Sequence, residues 1–176
     1  MEHKVTLVFP DDPLPEVDRD LTVGEVLVVS AHAGEFNFTT TTLATPYTKV
    51  YPSIGRPISA TEPARFVARL GDRIAGAMQL SAHWTGFAQV DDIAVNRSAR
   101  RKGVAANLLS VAKAWAIAQR LVGVRVETQN TNVPACKLYH ASGFSLAGAD
   151  AMLYRGTAAI ADEIALFWYW LPHPGT

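Results

Sequence analysis

Apolar and polar residues alternate in short runs along the first half of the chain, which predicts β-strands with one buried face. Two of these runs flank a turn signal at residues 33–35, and three later runs are separated by short polar turns. A hairpin and an antiparallel meander are therefore expected. The predicted strands of this half are residues 5–9, 25–30, 36–40, 65–70, 74–83 and 87–95. Proline-rich segments at residues 10–20 and 47–63 predict an exposed loop and a long irregular loop.

The pattern changes after Gly103, where apolar residues recur every three or four positions and predict a long amphipathic helix that ends before Gly123. A shorter helix is expected to begin at Pro134, because proline is well tolerated in a first helical turn. The elements predicted after the long helix are a strand at residues 122–128, a helix at 134–139 and strands at 144–154 and 164–171. This order predicts an α/β fold whose sheet has mixed strand directions.

The composition predicts one compact domain. A chain of 176 residues with 49% hydrophobic residues can build one core, so we expect a single domain over residues 1–176. The formal net charge is zero, so we expect no nucleic-acid partner. No segment approaches the roughly 20 apolar residues of a membrane span, and the N-terminus lacks a signal-peptide core. No membrane partner and a cytoplasmic location are therefore expected, and a homodimer stays open.

Cysteine and histidine usage argues against a metal or disulfide framework. The single Cys136 excludes an intramolecular disulfide and a cysteine-based zinc site, and it suits a reducing compartment. The five histidines show no metal-ligand spacing. We therefore expect no metal.

A basic turn joins the strand at residues 87–95 to the long helix. It holds Arg100, Arg101 and Lys102, followed by Gly103. Positive side chains at a helix N-terminus oppose the helix dipole, and an anion bound to the free backbone N–H groups relieves that conflict. Gly103 has no Cβ, so the backbone can approach an anion closely. A solvated basic turn is the alternative, but the strand–glycine–helix context favours a phosphate or pyrophosphate cradle.

Three motifs follow one another in a fixed order from this turn onward. They are Arg100-x-x-Gly103-x-Ala105, Glu127-Thr128-Gln129-Asn130-Thr131-Asn132-Val133-Pro134-Ala135 and Leu138-Tyr139-His140-Ala141-Ser142-Gly143-Phe144. Together they resemble the GNAT superfamily of acetyl-CoA-dependent N-acetyltransferases, whose R/Q-x-x-G-x-G/A motif the first one matches. The resemblance implies a GNAT-like fold, with a mixed, mostly antiparallel central sheet flanked by helices. It also implies an enzyme with acetyl-CoA as cosubstrate.

The resemblance further implies a set of coenzyme contacts. The N–H groups of the basic turn would bind the pyrophosphate of coenzyme A, while Ile93 and Val95 would flank the acyl-pantetheine arm. Asn132 matches the family position that contacts the coenzyme. The implied coenzyme-binding residues are Ile93, Ala94, Val95, Arg100, Arg101, Lys102, Gly103, Val104, Ala105, Ala106, Asn132 and Ala135.

Acetyl transfer to an amine requires a group that takes a proton from the amine, whose pKa is about 10 as for lysine. Asp91 and Glu127 are the candidate bases, with Asp92 in reserve. Each lies in a strand-like segment, and each could instead be a solvated or salt-bridged carboxylate. A water molecule could relay the proton to the base.

The reaction also requires donors for the developing oxyanion and a proton for the leaving thiolate. The backbone N–H of Ala94 or Val95 is the expected oxyanion donor. Tyr139 matches the family's frequent general acid, and its alternative role is a half-buried aromatic that packs the short helix against the sheet.

Within the superfamily, residues 90–170 look most like the streptothricin acetyltransferases, through residues 126–139 and Phe167-Trp168-Tyr169-Trp170. This similarity implies a streptothricin-type antibiotic as the acceptor and a role in antibiotic resistance. Those enzymes carry an acidic run after a Tyr-x-Lys element, whereas here Tyr47-Thr48-Lys49 precedes a segment with no carboxylate before Glu62. Amines of proteins, peptides or polyamines stay open as acceptors. A non-catalytic acyl-CoA-binding sensor also stays open.

Overall fold

A computed structural model describes residues 3–8, 15–51 and 63–172. In chain order the strands are β1 (His3–Val8), β2 (Asp20–His32), β3 (Glu35–Val50), β4 (Ala64–Leu70), β5 (Arg73–Ala82), β6 (Ala88–Val95), β7 (Val124–Gln129), β8 (Ser145–Asp150) and β9 (Ala165–Trp170), and the helices are α1 (Val104–Ala118) and α2 (Val133–Ala141). The chain divides into two compact units. The first comprises residues 1–19, 52–125 and 171–176, and the second comprises residues 20–51 and 126–170.

The first unit is an antiparallel sheet in the order β1-β4-β5-β6, with α1 packed on it. One face of α1 is buried through Val104, Leu108, Leu109, Ala112 and Ala116. Burial of a leucine side chain contributes about 2 kcal/mol, so this face anchors the helix to the sheet. A Cβ at Gly76 would lie 2.7 Å from the carbonyl oxygen of Ala94 and 3.3 Å from Cγ1 of Val104. Only glycine therefore permits β5, β6 and α1 to approach one another this closely.

The second unit contains the long β2–β3 hairpin, the strands β7-β9-β8 and α2. Its core includes Trp168, Phe144 and Cys136, which are all buried. Phe38 of β3 meets the Trp168 ring edge-on, with ring centroids 5.5 Å apart. Such pairs add about 1 kcal/mol to the burial of their surface, so Phe38 fastens the hairpin to this core.

The predicted α/β class is confirmed, and three local expectations are corrected. Residues 47–50 belong to β3 and not to a loop, because they pair with β2 beyond a register shift between Val23 and Glu25, with Val50 opposite Asp20. The strand expected at residues 144–154 ends at Asp150, whose carboxylate accepts hydrogen bonds from the N–H groups of Met152 and Leu153. That arrangement is an Asx turn, which competes with further strand pairing. Of the exposed loop predicted at residues 10–20, residues 10–14 lie outside the described residues, Val17 is buried, and Asp20 begins β2.

Two further observations apply to the described part of the chain. None of its helices is long and apolar enough to cross a membrane. Over the same residues, no group of three or more histidine, cysteine, aspartate or glutamate side chains is arranged to hold a metal ion.

Candidate functional site

Near the end of β6, the backbone N–H groups of Ala94 and Val95 point to opposite edges of the strand. Val95 pairs with Gly76 of β5, and the N–H of Asn96 donates to the carbonyl of Ala75 at 2.8 Å. Hydrogen-bonded and non-hydrogen-bonded pairs alternate along an antiparallel ladder. The N–H of Ala94 is therefore directed to β5, whereas that of Val95 is directed to the opposite edge of β6. Of the two oxyanion donors considered, Val95 has the N–H that β5 does not use.

The basic turn has a backbone suited to an anion. Arg101 has φ 63° and Gly103 has φ 81°, so two residues of the turn are left-handed. A non-glycine residue in this region carries strain of about 1 kcal/mol, and such strain gathers at ligand sites. Gly103 is the N-cap of α1 and offers no capping side chain, and the first helical turn contains no acidic residue. The first N–H groups of α1, from Val104 to Ala106, thus have no acceptor within the helix.

The cations of the turn divide into a bracing residue and two exposed residues. The Arg100 guanidinium donates from Nε to the carbonyl of Val95 (3.1 Å) and from Nη2 to the carbonyl of Asp18 (3.4 Å). Arg101 and Lys102 are exposed. Arg100 therefore holds the turn against the end of β6, while the other two cations supply a positive field at the helix N-terminus.

Asp18 completes this brace, although its sequence context is typical of a solvated loop. Its carboxylate Oδ2 accepts from the N–H of Arg97 at 2.7 Å, and its own N–H donates to Oδ1 of Asn96 at 3.0 Å. Asn96 in turn donates from Nδ2 to the carbonyl of Ile74. The residues before the basic turn are thus held by side chains as well as by the strand ladder.

Asp91 lies at a β-bulge. Gln79 pairs with Asp92 and Leu80 pairs with Val90, so Asp91 is the extra residue of β6. Ser81 donates from Oγ to Oδ1 of Asp91 at 3.0 Å. The other oxygen, Oδ2, is buried and has no partner of sound hydrogen-bond geometry among the described residues. Burial raises the pKa of Asp91 to about 6, against the opposing effect of hydrogen bonding from Ser81 and Gln79.

Asp92, the reserve base, is engaged in an ion pair. Arg19 donates from Nη1 and Nη2 to its two carboxylate oxygens, at 2.8 and 2.6 Å. This hydrogen-bonded carboxylate raises the pKa of Arg19 above its ordinary value. Both carboxylate oxygens of Asp92 are occupied by this guanidinium, so the geometry favours Asp91 over Asp92 as the base.

In the second unit, Asn132 caps α2. Its Oδ1 accepts from the N–H of Ala135 at 3.3 Å, which satisfies one of the exposed N–H groups of the first turn. Pro134 occupies the first turn, where no intrahelical N–H is needed. The cap uses Oδ1, so a coenzyme contact by Asn132 would be made through Nδ2.

Tyr139 is buried on α2. Its ring lies 6.0 Å from that of Phe144 and 6.2 Å from that of Trp168, measured between centroids. The packing alternative considered for Tyr139 is therefore present in the structure, and an acid role would be additional to it. Cys136, one turn earlier, is also buried, and burial raises the pKa of its thiol to about 12. A thiol with this pKa is a poor nucleophile at neutral pH.

Glu127 has a partner that the sequence did not indicate. The hydroxyl of Tyr154 donates to its Oε1, and Gln129 donates from Nε2 to the same hydroxyl at 3.0 Å. Glu127 and Gln129 are two residues apart on β7 and so share one face of the strand. Tyr154 was expected only as the end of a strand, and it lies 27 residues from Glu127, a separation without a local signal.

A buried ion pair lies nearby in the chain's second unit and was also missed. Lys49 Nζ donates to both oxygens of Glu163, at 2.6 and 2.5 Å, and the two side chains are only 10% and 11% exposed. The same ammonium lies 4.5 Å from the centre of the Tyr51 ring. The N–H of Asn130, inside the second motif, donates to the carbonyl of Ile164 at 2.9 Å, and its Oδ1 accepts from the N–H of Ile164 at 2.9 Å. These contacts hold the segment before β9.

Comparison with known proteins assigns the family. Residues 33–144 match the profile of the acetyltransferase (GNAT) family, which is more than half of the chain. The chain belongs to the GNAT acetyltransferase family. The predicted family, the GNAT-like fold and the acetyltransferase activity are thereby confirmed.

Relatives of this GNAT acetyltransferase extend the match over nearly the whole chain. It is 34% identical to the streptothricin acetyltransferase of Escherichia coli over 165 residues, 93% of each chain. It is 34% identical to streptothricin acetyltransferase A of Bacillus subtilis (strain 168) over 140 residues, 78% of this chain and 80% of that one. The predicted similarity to the streptothricin acetyltransferases is confirmed.

A solved structure agrees with this assignment. The crystal structure of a protein assigned as a streptothricin acetyltransferase from Bacillus anthracis, in complex with acetyl coenzyme A, superposes with a TM-score of 0.85. It is 29% identical and covers 97% of this chain and 100% of its own. The bound molecule is the cosubstrate expected from the sequence. Residues 52–62, where the sequence lacks the acidic run, lie outside the described residues.

Proposed function

We propose that this GNAT acetyltransferase transfers the acetyl group of acetyl-CoA to a primary amine of a streptothricin-type antibiotic, and so confers resistance to it. The similarity to the E. coli streptothricin acetyltransferase over 93% of the chain carries this proposal. It is supported by the match of the whole fold to the B. anthracis structure. The same coverage supports one N-acetyltransferase domain over residues 1–176.

For the coenzyme, we propose the residues at the end of β6 and at the start of α1. The left-handed Gly103 and the absence of a capping side chain or acid leave the α1 N-terminus suited to a pyrophosphate. Arg101 and Lys102 add positive charge, and Arg100 braces the turn. The contacts proposed from this region are those of Ile93, Ala94, Val95, Arg100, Arg101, Lys102, Gly103, Val104, Ala105 and Ala106, and those from the second unit are Asn132 and Ala135.

For the chemistry, we propose direct attack of the amine nitrogen on the thioester carbonyl. A carboxylate, Asp91 or Glu127, takes a proton from the acceptor ammonium, directly or through one water molecule. The new C–N bond forms as the C–S bond breaks, and the N–H of Val95 donates to the carbonyl oxygen as its charge develops. Acetyl-CoA supplies the acetyl group and leaves as the free thiol.

Tyr139 is the proposed donor of the proton to the leaving sulfur, and its hydroxyl is restored by the second proton that the nitrogen loses on becoming an amide. The match of Tyr139 to the family's frequent general acid supports this role, since a phenol is protonated at neutral pH and has a proton to give. A phenol and a thiol have pKa values within about 2 units of each other in water, so the proton transfer is nearly balanced.

The experiment is a thiol-release assay with acetyl-CoA and four acceptors, namely streptothricin, spermidine, a lysine-containing peptide and glycinamide. We expect turnover with streptothricin at micromolar concentration, and a fall of at least tenfold in kcat for Tyr139→Phe with little change in the dissociation constant of coenzyme A. Turnover only with the peptide or with spermidine would replace the antibiotic as acceptor. Binding of acetyl-CoA without acetylation of any of the four amines would favour a sensor and overturn the proposal.

The setting is proposed on more general grounds. We propose a cytoplasmic location, which is supported by a cysteine that is free and buried. The absence of a nucleic-acid partner stays a prediction, and assembly as a homodimer stays open.

A further inference from the structure

Tyr154 is tied to two polar residues of one face of β7, Glu127 and Gln129. It lies in the turn that follows β8 and is 8% exposed. Its hydroxyl donates to Oε1 of Glu127 and accepts from Nε2 of Gln129 at 3.0 Å. A phenol has one proton to give, so its donation to the carboxylate requires the amide of Gln129 to present its NH₂ group. The hydrogen-bond directions in this trio are thus determined.

The hydroxyl is a permanent donor. Burial, followed by the charge of Glu127, raises the pKa of Tyr154 far above its ordinary value, so the phenol stays protonated at any pH at which an amine is acetylated. Glu163 acts on the pKa in the same direction, and its own charge is paired with Lys49. Tyr154 therefore cannot itself take the acceptor's proton, but it can hold the carboxylate that does.

We propose that Tyr154 is a positioning residue for acetyl transfer, which fixes Glu127 through Oε1 and so leaves Oε2 as the atom that receives the acceptor's proton. This inference rests on the proposed function and on Glu127 as the base. A glutamate side chain has three rotatable bonds, and a base contributes only while it lies within hydrogen-bond reach of the proton. One buried anchor at Oε1 removes most of that freedom, and Gln129 prevents the anchor itself from turning away.

The test is a double-mutant cycle in the thiol-release assay with streptothricin. We expect Tyr154→Phe to lower kcat about tenfold to a hundredfold and Glu127→Gln to lower it at least a hundredfold. The KM for acetyl-CoA should change less than twofold in both. In the Glu127→Gln background, adding Tyr154→Phe should change kcat less than twofold, because a positioning residue has nothing left to position. Tyr169→Phe is the control, because it removes a tyrosine hydroxyl from a different strand, β9.

The outcomes distinguish failure of the role proposed for Tyr154 from failure of Glu127 as the base. Losses that multiply in the double variant, or a Tyr154→Phe enzyme with unchanged kcat beside an inactive Glu127→Gln enzyme, would overturn the role of Tyr154 and leave the proposed function standing. Full activity of Glu127→Gln would remove the base, and with it the role of Tyr154. If Tyr154→Phe does not fold, Gln129→Leu removes the second anchor of the same hydroxyl. It should lower kcat severalfold in the wild-type background and not in the Glu127→Gln background.

Discussion

At the scale of residues, a buried carboxylate oxygen without a hydrogen-bond partner of good geometry distinguishes Asp91 from the other described carboxylates of β6 and β7. Asp92 is held by the guanidinium of Arg19, and Glu127 accepts the hydroxyl proton of Tyr154. Asp91 has only Ser81 on Oδ1 as a partner of good geometry, at the extra position of a bulge. Its pKa of about 6 is close to the range in which a general base is effective at neutral pH.

This environment predicts a pH-dependent stability. The pKa of Asp91 is raised from 3.8 to about 6 in the folded protein, so its favourable contribution is complete below pH 3.8 and is lost as the pH rises through about 6. Asp91→Asn removes the ionisation. The free energy of unfolding of this variant minus that of the wild type should therefore increase between pH 5 and pH 8, by on the order of 1 kcal/mol once partial solvent screening is considered.

Urea unfolding at pH 5, 6, 7 and 8 measures that difference. Asp72→Asn, in the exposed turn between β4 and β5, is the matched control and should show no such trend. An Asp91→Asn difference that is constant over this range would show that the carboxylate is not ionising near pH 6.

At the scale of elements, the start of α1 combines three features that oppose an isolated helix. It has a left-handed N-cap without a capping side chain, no acid in its first turn, and three cations just before it. Capping and an acidic first turn each contribute about 0.5–1 kcal/mol to ordinary helices. The buried face of α1 supplies the stability that its N-terminus does not. The N-terminus of α1 can therefore stay uncapped and bind an anion.

The cradle is tested by Gly103→Ala. Gly103 has φ 81°, where alanine is strained by about 1 kcal/mol, so the substitution disturbs the turn that we propose to bind the pyrophosphate. We expect the dissociation constant of coenzyme A, measured by isothermal titration calorimetry, to rise at least tenfold.

Gly143→Ala is the control that distinguishes an effect of backbone strain from an effect on coenzyme A binding. Gly143 follows α2 with φ 78°, and a Cβ there would meet nothing within 4 Å. It should lower the melting temperature about as much as Gly103→Ala, without a change in coenzyme affinity. Equal affinity losses in both variants would attribute the effect to backbone strain.

At the scale of the whole molecule, contacts between distant segments decide how the polar groups of each unit are held. In the second unit the hairpin strand β3 reaches the segment before β9 through Lys49 and Glu163, which are 114 residues apart. Removing one member of a buried ion pair leaves the other charge without compensation, which costs more than the pair itself contributes. Glu163→Gln should therefore lower the free energy of unfolding by about 3 kcal/mol.

Chemical denaturation of the purified protein measures this loss. The pair Lys137–Glu25 offers the control, because its side chains are 57% and 40% exposed. Glu25→Gln should lower the free energy of unfolding by less than about 1 kcal/mol. Similar shifts in the denaturation midpoint for the two variants would contradict a buried, stabilising role for Glu163.

Local patterns along the chain were enough to predict the family, the order of the elements from β4 to β9 and the basic turn before α1, because periodicity and motif spacing do not depend on tertiary contacts. Two strand ends differ from the predicted ones. Residues 47–50 pair with β2 and so lengthen β3, and an Asx turn at Asp150 ends β8. Neither strand end can be predicted without knowing which strand or turn lies beside it.

The folded chain was needed to show which of the carboxylates of β6 and β7 are held by a partner, and that one oxygen of Asp91 is buried without one among the described residues. Arg19 lies 73 residues from Asp92, and Tyr154 lies 27 residues from Glu127. The three carboxylates of β6 and β7 have similar sequence contexts, but their hydrogen-bond partners are brought by packing. That is why Asp91 and Glu127 could be proposed as bases from sequence, whereas Tyr154 and the engagement of Asp92 could be found only in the folded chain.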